Sequence, residues 1–412
     1  MIKIIFLIII TIIVLNYLLD RIVEYLNISK CSNTIPKELE GIYDSEKYAK
    51  SQNYLKVNYK FSILTSTFSV LVILVMLFTG GFAFVDNLTA SVTENVIIHA
   101  LLFFGILMLA SDIINTPFDL YDTFVIEHKF GFNKTTVKTY ILDKLKTWLL
   151  GAIIGGGILA LIIWFYTLTT NLFWLYAWML VTVFSIFMTM FYSSIIVPLF
   201  NKQTPLEDGD LRNAISDFAQ KVGFKLDNIY VIDGSKRSTK ANAYFSGLGR
   251  KKRIVLYDTL IKDMSVEEIV AVLAHEVGHY KKKHSLKGII LSIIETGFTL
   301  YLLSFFVGSI VLAKALGAEE ASFQIGLIAF GILYTPVSLI LGLATNVYSR
   351  KNEYEADKFA GENYNPEHLQ NALKKLSVNN LSNLTPHHIY VFIHYSHPPL
   401  LERLKALDKI KI

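Results

Sequence analysis

The 412-residue chain holds a single cysteine, Cys31, and few charges, and it contains no internal repeat, low-complexity run or proline-rich linker. One thiol cannot form an internal bridge, so a disulfide scaffold and a cysteine-rich zinc site are both excluded. Any metal must be held by His, Asp or Glu. Charged residues are 18% of the chain, against ~25% in a typical soluble domain, and 53% of residues are apolar. This composition excludes a disordered or collagen-like protein. The net charge of +5 is compatible with nucleic acid or an anionic membrane surface as partner. No motif of interleaved aromatic and basic residues supports nucleic acid.

What the chain has instead is long apolar runs. Lipid offers the backbone no hydrogen-bond partner, so a crossing segment is a helix of ~20 mainly apolar residues or part of a closed barrel. Seven stretches qualify, at 2–19, 62–85, 95–116, 148–168, 172–200, 288–313 and 324–346. Pro336 is expected to kink the last. The first stretch has no small-residue cleavage site after its apolar core and reads as a retained anchor.

Lys and Arg between spans set the orientation, because positively charged loops stay in the cytoplasm. Residues 20–61 carry seven, 115–147 five, 201–287 sixteen and 347–412 nine, leaving Lys3 and Lys314 for the other side. The reading is an odd number of spans with a cytoplasmic C-terminus. Four segments follow: spans one to five with their loops (1–200), a hydrophilic block (201–287), spans six and seven (288–346) and a second hydrophilic block (347–412). The two blocks both lie on the cytoplasmic side and can meet there as one split domain.

The first block carries the sharpest signal. Ser265-Val266-Glu267-Glu268 reads as a capping box opening a helix. Within that helix stands His275-Glu276-Val277-Gly278-His279. Histidines at i and i+4 project from one face, so both rings can reach one zinc, with Glu276 beside them as general base. A catalytic zinc needs a third protein ligand and an open position for water. After span seven, Glu353 and Asp357 share a helix face whereas Glu355 points elsewhere. Glu353 is the candidate ligand and Asp357 the acceptor that orients a ligating His. His397 and Arg403, around Pro398-Pro399, are candidates to face the metal and hold the oxyanion of a tetrahedral intermediate.

Ile229–Asp233 and Arg253–Asp258 read as short strands, with Asn242-Ala243-Tyr244-Phe245 between them. An exposed strand edge near the zinc helix would hold an extended substrate by main-chain hydrogen bonds, and an ordinary hairpin packed on that helix is the alternative. His99, Asp112 and Glu295 fall inside spans, where a polar group faces protein or a water-filled cavity. His284, His387 and His388 read as surface residues.

These motifs resemble the integral-membrane zinc CAAX prenyl protease family, which converts farnesylated proteins. The resemblance rests on Thr123–Glu127 with Gly131-Phe132-Asn133, Pro198–Asn201 with Thr204-Pro205-Leu206, Gly234–Ser238 with Asn242–Phe245, the zinc helix, Glu353–Ala360 and His397–Leu404. It implies a mainly α fold: a seven-span bundle enclosing a water-filled chamber, capped by a cytoplasmic zincin-like (gluzincin) domain with a small β-sheet. It also implies one zinc per chain on His275, His279 and Glu353, Glu276 as catalytic base, the Asn242–Phe245 segment at the substrate cleft, and His397 and Arg403 acting on the substrate carbonyl.

The expected substrate is a peptide or protein, C-terminally prenylated in a eukaryote, where the enzyme would sit in the endoplasmic reticulum or nuclear membrane. In a bacterium, the inner membrane and general membrane-protein quality control take their place. The lipid bilayer is the other partner, nucleic acid is not one, and no oligomer is implied. A channel or scaffold with a structural zinc site is the alternative from another class. Such a site is normally closed by four protein ligands and has no use for Glu276.

Overall fold

The computed structural model describes every residue except 33, 36, 38, 39, 226–228, 247–252 and 411–412. The N-terminal half is a set of long apolar helices: α1 (Ile2–Ile28), α2 (Ser45–Phe78), α3 (Val96–Glu127), α4 (Val137–Thr169) and α5 (Phe173–Phe200). Side chains satisfy amide groups that the helix starts leave open. Asp44 accepts from Lys47 N–H, Asn95 from Ile97 and Ile98, and Thr136 from Thr139. Large apolar side chains such as Leu64, Leu71 and Val75 on α2 remain exposed, as befits helices whose solvent is lipid.

The hydrophilic part that follows contains β1 (Gln203–Pro205), α6 (Asp210–Lys221), β2 (Ile229–Ile232), β3 (Ala243–Ser246), β4 (Arg253–Tyr257) and α7 (Val266–Lys281). The chain then returns to apolar helices, α8 (His284–Leu303), α9 (Phe323–Leu333) and α10 (Thr335–Asn363). It finishes with α11 (Pro366–Asn379), α12 (His388–His394) and α13 (Leu400–Leu407). Among the described residues six helices are long and apolar enough to cross a membrane, and the pair α9 and α10, bent by 54° between them, makes a seventh when counted as one span. The bend falls at Tyr334–Thr335, beside Pro336, whose ring disfavours a continuous helix through the preceding residue.

The expected span limits need correction. The 62–85 run breaks at Gly80, which adopts the left-handed conformation (φ +67°), and a separate helix, Gly81–Ala90, follows. The 288–313 run ends as helix at Leu303, and the chain turns at Gly308 (φ +80°) before a short helix, Ile310–Ala315. Such turns are apolar enough to pass for span, and only glycine adopts that backbone freely. Conversely, α2, α3, α4 and α10 run on into polar sequence, because an apolar run marks the lipid-facing part of a helix and not its ends. The polar groups inside the spans divide. His99 Nε2 lies 3.1 Å from Asp86 Oδ1, and Gln324 donates to Asp86 at 2.6 Å. Asp112 Oδ2 meets Lys144 Nζ at 3.1 Å and the Trp148 indole at 3.2 Å. Glu295 is exposed.

The sheet has the order β1-β2-β4-β3, with β2 and β4 parallel and the outer pairs antiparallel. The two expected strands, β2 and β4, are therefore parallel neighbours and not a hairpin, and the Asn242–Phe245 segment is itself mostly strand. Among the described residues β3 pairs on one side only. Its Phe245 ring packs 5.9 Å from Tyr280 of α7. The segment leading into β3 is fastened to the membrane half. Arg237 pairs with Asp143 at 2.7 Å and donates to the Phe200 carbonyl at 2.8 Å, Lys240 Nζ meets Glu127 at 2.8 Å, and Asn133 bridges Ser238.

α7 lies at the centre of the larger core, with Ile269, Val270, Leu273 and Val277 at most 2% exposed. Each fully buried side chain of this size contributes ~1.5–3 kcal/mol. The expected capping box is present: Ser265 Oγ accepts from Glu268 N–H and Glu268 Oε2 accepts from Ser265 N–H at 2.8 Å. At its other end Gly278 faces α10, and a Cβ there would stand 3.1 Å from the Ala356 backbone. Gly278→Ala is expected to lower the thermal midpoint, because crowding a packed contact costs ~1–3 kcal/mol and helix propensity returns only ~1. An unchanged midpoint would contradict the close approach of these two helices.

Candidate metal centre

The helical repeat of α7 sets His275 and His279 on one face, with their Nε2 atoms 3.1 Å apart. Glu353 comes from α10, beyond the apolar helices α8 and α9 in sequence. Its Oε2 lies 3.4 Å from His275 Nε2 and its Oε1 3.2 Å from His279 Nε2. Among the described residues these three form a group whose ligand atoms all lie within 4.8 Å of one another. Glu353 is 4% exposed, and its Oε2 has no hydrogen-bond partner. A buried, unpartnered carboxylate oxygen is costly unless something satisfies it. Two imidazole nitrogens beside it make a divalent cation of the zinc type the fitting occupant.

The other nitrogen of His275 is also held. Its Nδ1 lies 2.9 Å from Asp357 Oδ1, and Arg403 grips the same carboxylate through Nε at 2.8 Å and Nη2 at 2.6 Å. Asp357 and Arg403 are both buried. Burial alone pushes the His275 imidazolium down, but the neighbouring Asp357 and Glu353 carboxylates outweigh it and raise the group to about 9. For Arg403, burial is likewise opposed, chiefly by Asp357, and its pKa is raised.

The remaining candidates sit around this core. Glu276 is part-buried on α7. His397 is exposed, with Nε2 3.4 Å from Glu353 Oε1 and Nδ1 2.9 Å from Ser396 Oγ. Arg403 differs from the expectation that it faces substrate: two of its nitrogens are committed to Asp357, and Nη1 stands 3.7 Å from Glu353 Oε2. Asn242 is exposed at the start of β3, its Oδ1 accepting from Ala243 N–H at 2.8 Å. Ala243 and Phe245 pack on the core, whereas Tyr244 turns the other way, its hydroxyl 3.5 Å from Ser193 on α5.

His284 is a correction. It is buried, 6% exposed, not a surface residue, and stands 3.0 Å from His279. Glu355 does not point into solvent alone but meets His284 at 3.1 Å. His388 is exposed, and His387 caps α12 by accepting from Ile389 N–H.

Comparison with known proteins gives the family. Residues 24–202 match the CAAX prenyl protease N-terminal domain of five membrane helices, and residues 205–411 match peptidase family M48. CAAX prenyl protease 1 of Saccharomyces cerevisiae is 37% identical over 95% of this chain and 92% of its own length. The Arabidopsis thaliana homologue is 38% identical over 91% and 90%. The crystal structure of S. mikatae Ste24p superposes with a TM-score of 0.91 at 36% identity, covering 98% of this chain and 99% of that one. With matches that span both the membrane helices and the His275–His279–Glu353 centre, the chain belongs to peptidase family M48 and carries the membrane domain of the CAAX prenyl proteases.

Proposed function

We propose that this membrane metalloendopeptidase holds one zinc on His275, His279 and Glu353 and hydrolyses peptide bonds of prenylated CAAX proteins at the cytoplasmic face. The observation that carries the reading is the buried Glu353 carboxylate, whose Oε2 makes no hydrogen bond and whose two oxygens each face one imidazole Nε2, of His275 and of His279. Zinc at such a site polarises a carbonyl and lowers the pKa of a bound water towards ~7.

The chain's own groups supply the rest. Glu276, adjacent in sequence to a ligand and part-buried, takes the proton of the attacking water and passes it to the departing amine. His397, exposed and aimed at the Glu353 carboxylate, donates to the oxyanion that forms on the scissile carbonyl. Arg403 acts through Asp357, fixing the carboxylate that orients His275. The open side of β3 takes the substrate as an added strand, an arrangement that grips backbone without regard to side chains. The placement of Lys and Arg supports a cytoplasmic protease domain.

The test is to incubate detergent-purified protein with a farnesylated CAAX peptide and with its unmodified counterpart, locating any cut by mass spectrometry. Selective cutting of the lipidated peptide is expected. Equal cutting would contradict a prenyl-dependent substrate and favour general membrane-protein hydrolysis.

A further inference from the structure

The two histidines of the metal centre are held by different devices, and only one is of the usual kind. His275 presents Nδ1 directly to the Asp357 carboxylate at 2.9 Å. His279 presents Nδ1 to another imidazole, with 3.0 Å between it and His284 Nδ1. His284 Nε2 in turn lies 3.1 Å from Glu355 Oε2. His284 is buried at the first position of α8, and the residue before it, Lys283, adopts the left-handed conformation (φ +59°). This turn reverses the chain after α7 and brings the His284 ring back against His279.

We propose that His284 and Glu355 form a positioning relay that fixes the ring orientation and tautomer of His279 and ties the metal centre to the sixth span. The inference rests on the zinc reading above. If His279 binds through Nε2, its proton is on Nδ1 and must be donated. His284 can accept it only at an unprotonated Nδ1, so the His284 proton is on Nε2, where Glu355 accepts it. This is the one arrangement of neutral rings in which every nitrogen has a use, and it makes a carboxylate the end of both chains of contact. His284 is not a fourth ligand. It faces the His279 nitrogen on the side of the ring remote from Glu353, and the group that can hold an ion among the described residues excludes it. Because α8 starts at His284, a displacement of the sixth span moves the relay and with it the second ligand.

Outer partners of this kind are worth ~10–100-fold in metal affinity. The experiment measures zinc affinity by competition with a fluorescent chelator, on full-length protein in detergent. It compares wild type with His284→Ala, His284→Gln, Glu355→Gln and His279→Ala, with the thermal midpoint of each metal-stripped protein as a check on folding. His284→Ala is expected to weaken binding ~10–100-fold at an unchanged metal-free midpoint. His284→Gln, whose amide keeps a donor and an acceptor, is expected to recover most of the loss. Glu355→Gln, which retains an acceptor oxygen without its charge, should show a smaller loss, and it carries the test if His284→Ala does not fold. Zinc affinity within twofold of wild type in both His284→Ala and Glu355→Gln overturns the relay. Wild type without stoichiometric zinc, or His279→Ala binding as tightly as wild type, overturns the ligand assignment itself and the relay with it.

Discussion

Glu276→Gln is expected to lower kcat/KM for peptide hydrolysis by about 10³-fold while leaving one zinc bound per chain, the size of effect that a positioned proton-transfer group provides. The amide is nearly isosteric and cannot accept the water's proton. Glu276 is not among the three groups that converge on the ion, so metal content should not change. It is part-buried on a helix whose neighbouring residues, His275 and Val277, are buried, and the substitution adds no volume to that packing. Retained zinc with lost turnover separates a catalytic centre from a structural one, because a scaffold with closed zinc would tolerate the change. Full turnover in this variant would remove the proposed mechanism.

Glu353→Ala is expected to abolish both activity and stoichiometric zinc. The loss of affinity should exceed the ~10–100-fold that an outer partner is worth, since the change removes a direct ligand and leaves two. The electrostatic consequence adds to this. Glu353 is the carboxylate that faces the Nε2 atoms of both His275 and His279, and Arg403 Nη1 stands 3.7 Å from it. Without that carboxylate a cation approaching the two rings meets the Arg403 charge with less negative charge to offset it. Glu353→Gln keeps the shape and one neutral oxygen, so it should fall between wild type and alanine in affinity and remain inactive or nearly so. Metal content by elemental analysis and hydrolysis of the CAAX peptide check both statements. Undiminished zinc in Glu353→Ala would show that the carboxylate is not a ligand.

Local spacing made the candidate centre readable before any coordinates. His275 and His279 are four residues apart, so the pitch of one helix places them together whatever the rest of the chain does. Glu353 was reachable by the same rule together with the need for a third ligand, although nothing local states that α10 returns to α7. That return depends on Gly278 facing Ala356, a contact between residues far apart in the chain. His284 reads as a surface residue because it follows Lys281-Lys282-Lys283, a run that reads as solvated. Its burial comes from the reversal at Lys283 and the packing of α8, and only its position five residues after His279 hinted at it. Arg403 was legible as a charged group near the site but not as a partner of Asp357, since a bidentate pair between α10 and α13 leaves no periodic trace.

The fold divides in the same way. Apolar runs of spanning length located the bundle, because lipid imposes a length and a composition on each crossing. They did not locate the breaks at Gly80 and Gly308, where the chain stays apolar while the helix stops. The tie between the membrane half and the strand segment, Arg237 with Asp143 and Lys240 with Glu127, joins residues about a hundred positions apart. Hydropathy carries no information about such pairs.

The central question is whether three side chains converge on one ion and leave room for water. X-ray absorption at the zinc edge, on purified wild-type protein, measures this most directly. The expected spectrum shows two imidazole nitrogens and oxygen ligands at ~2.0–2.2 Å and no sulfur. A zinc ion already saturated by four protein atoms, or a purified protein with no zinc at His275 and His279, would contradict it.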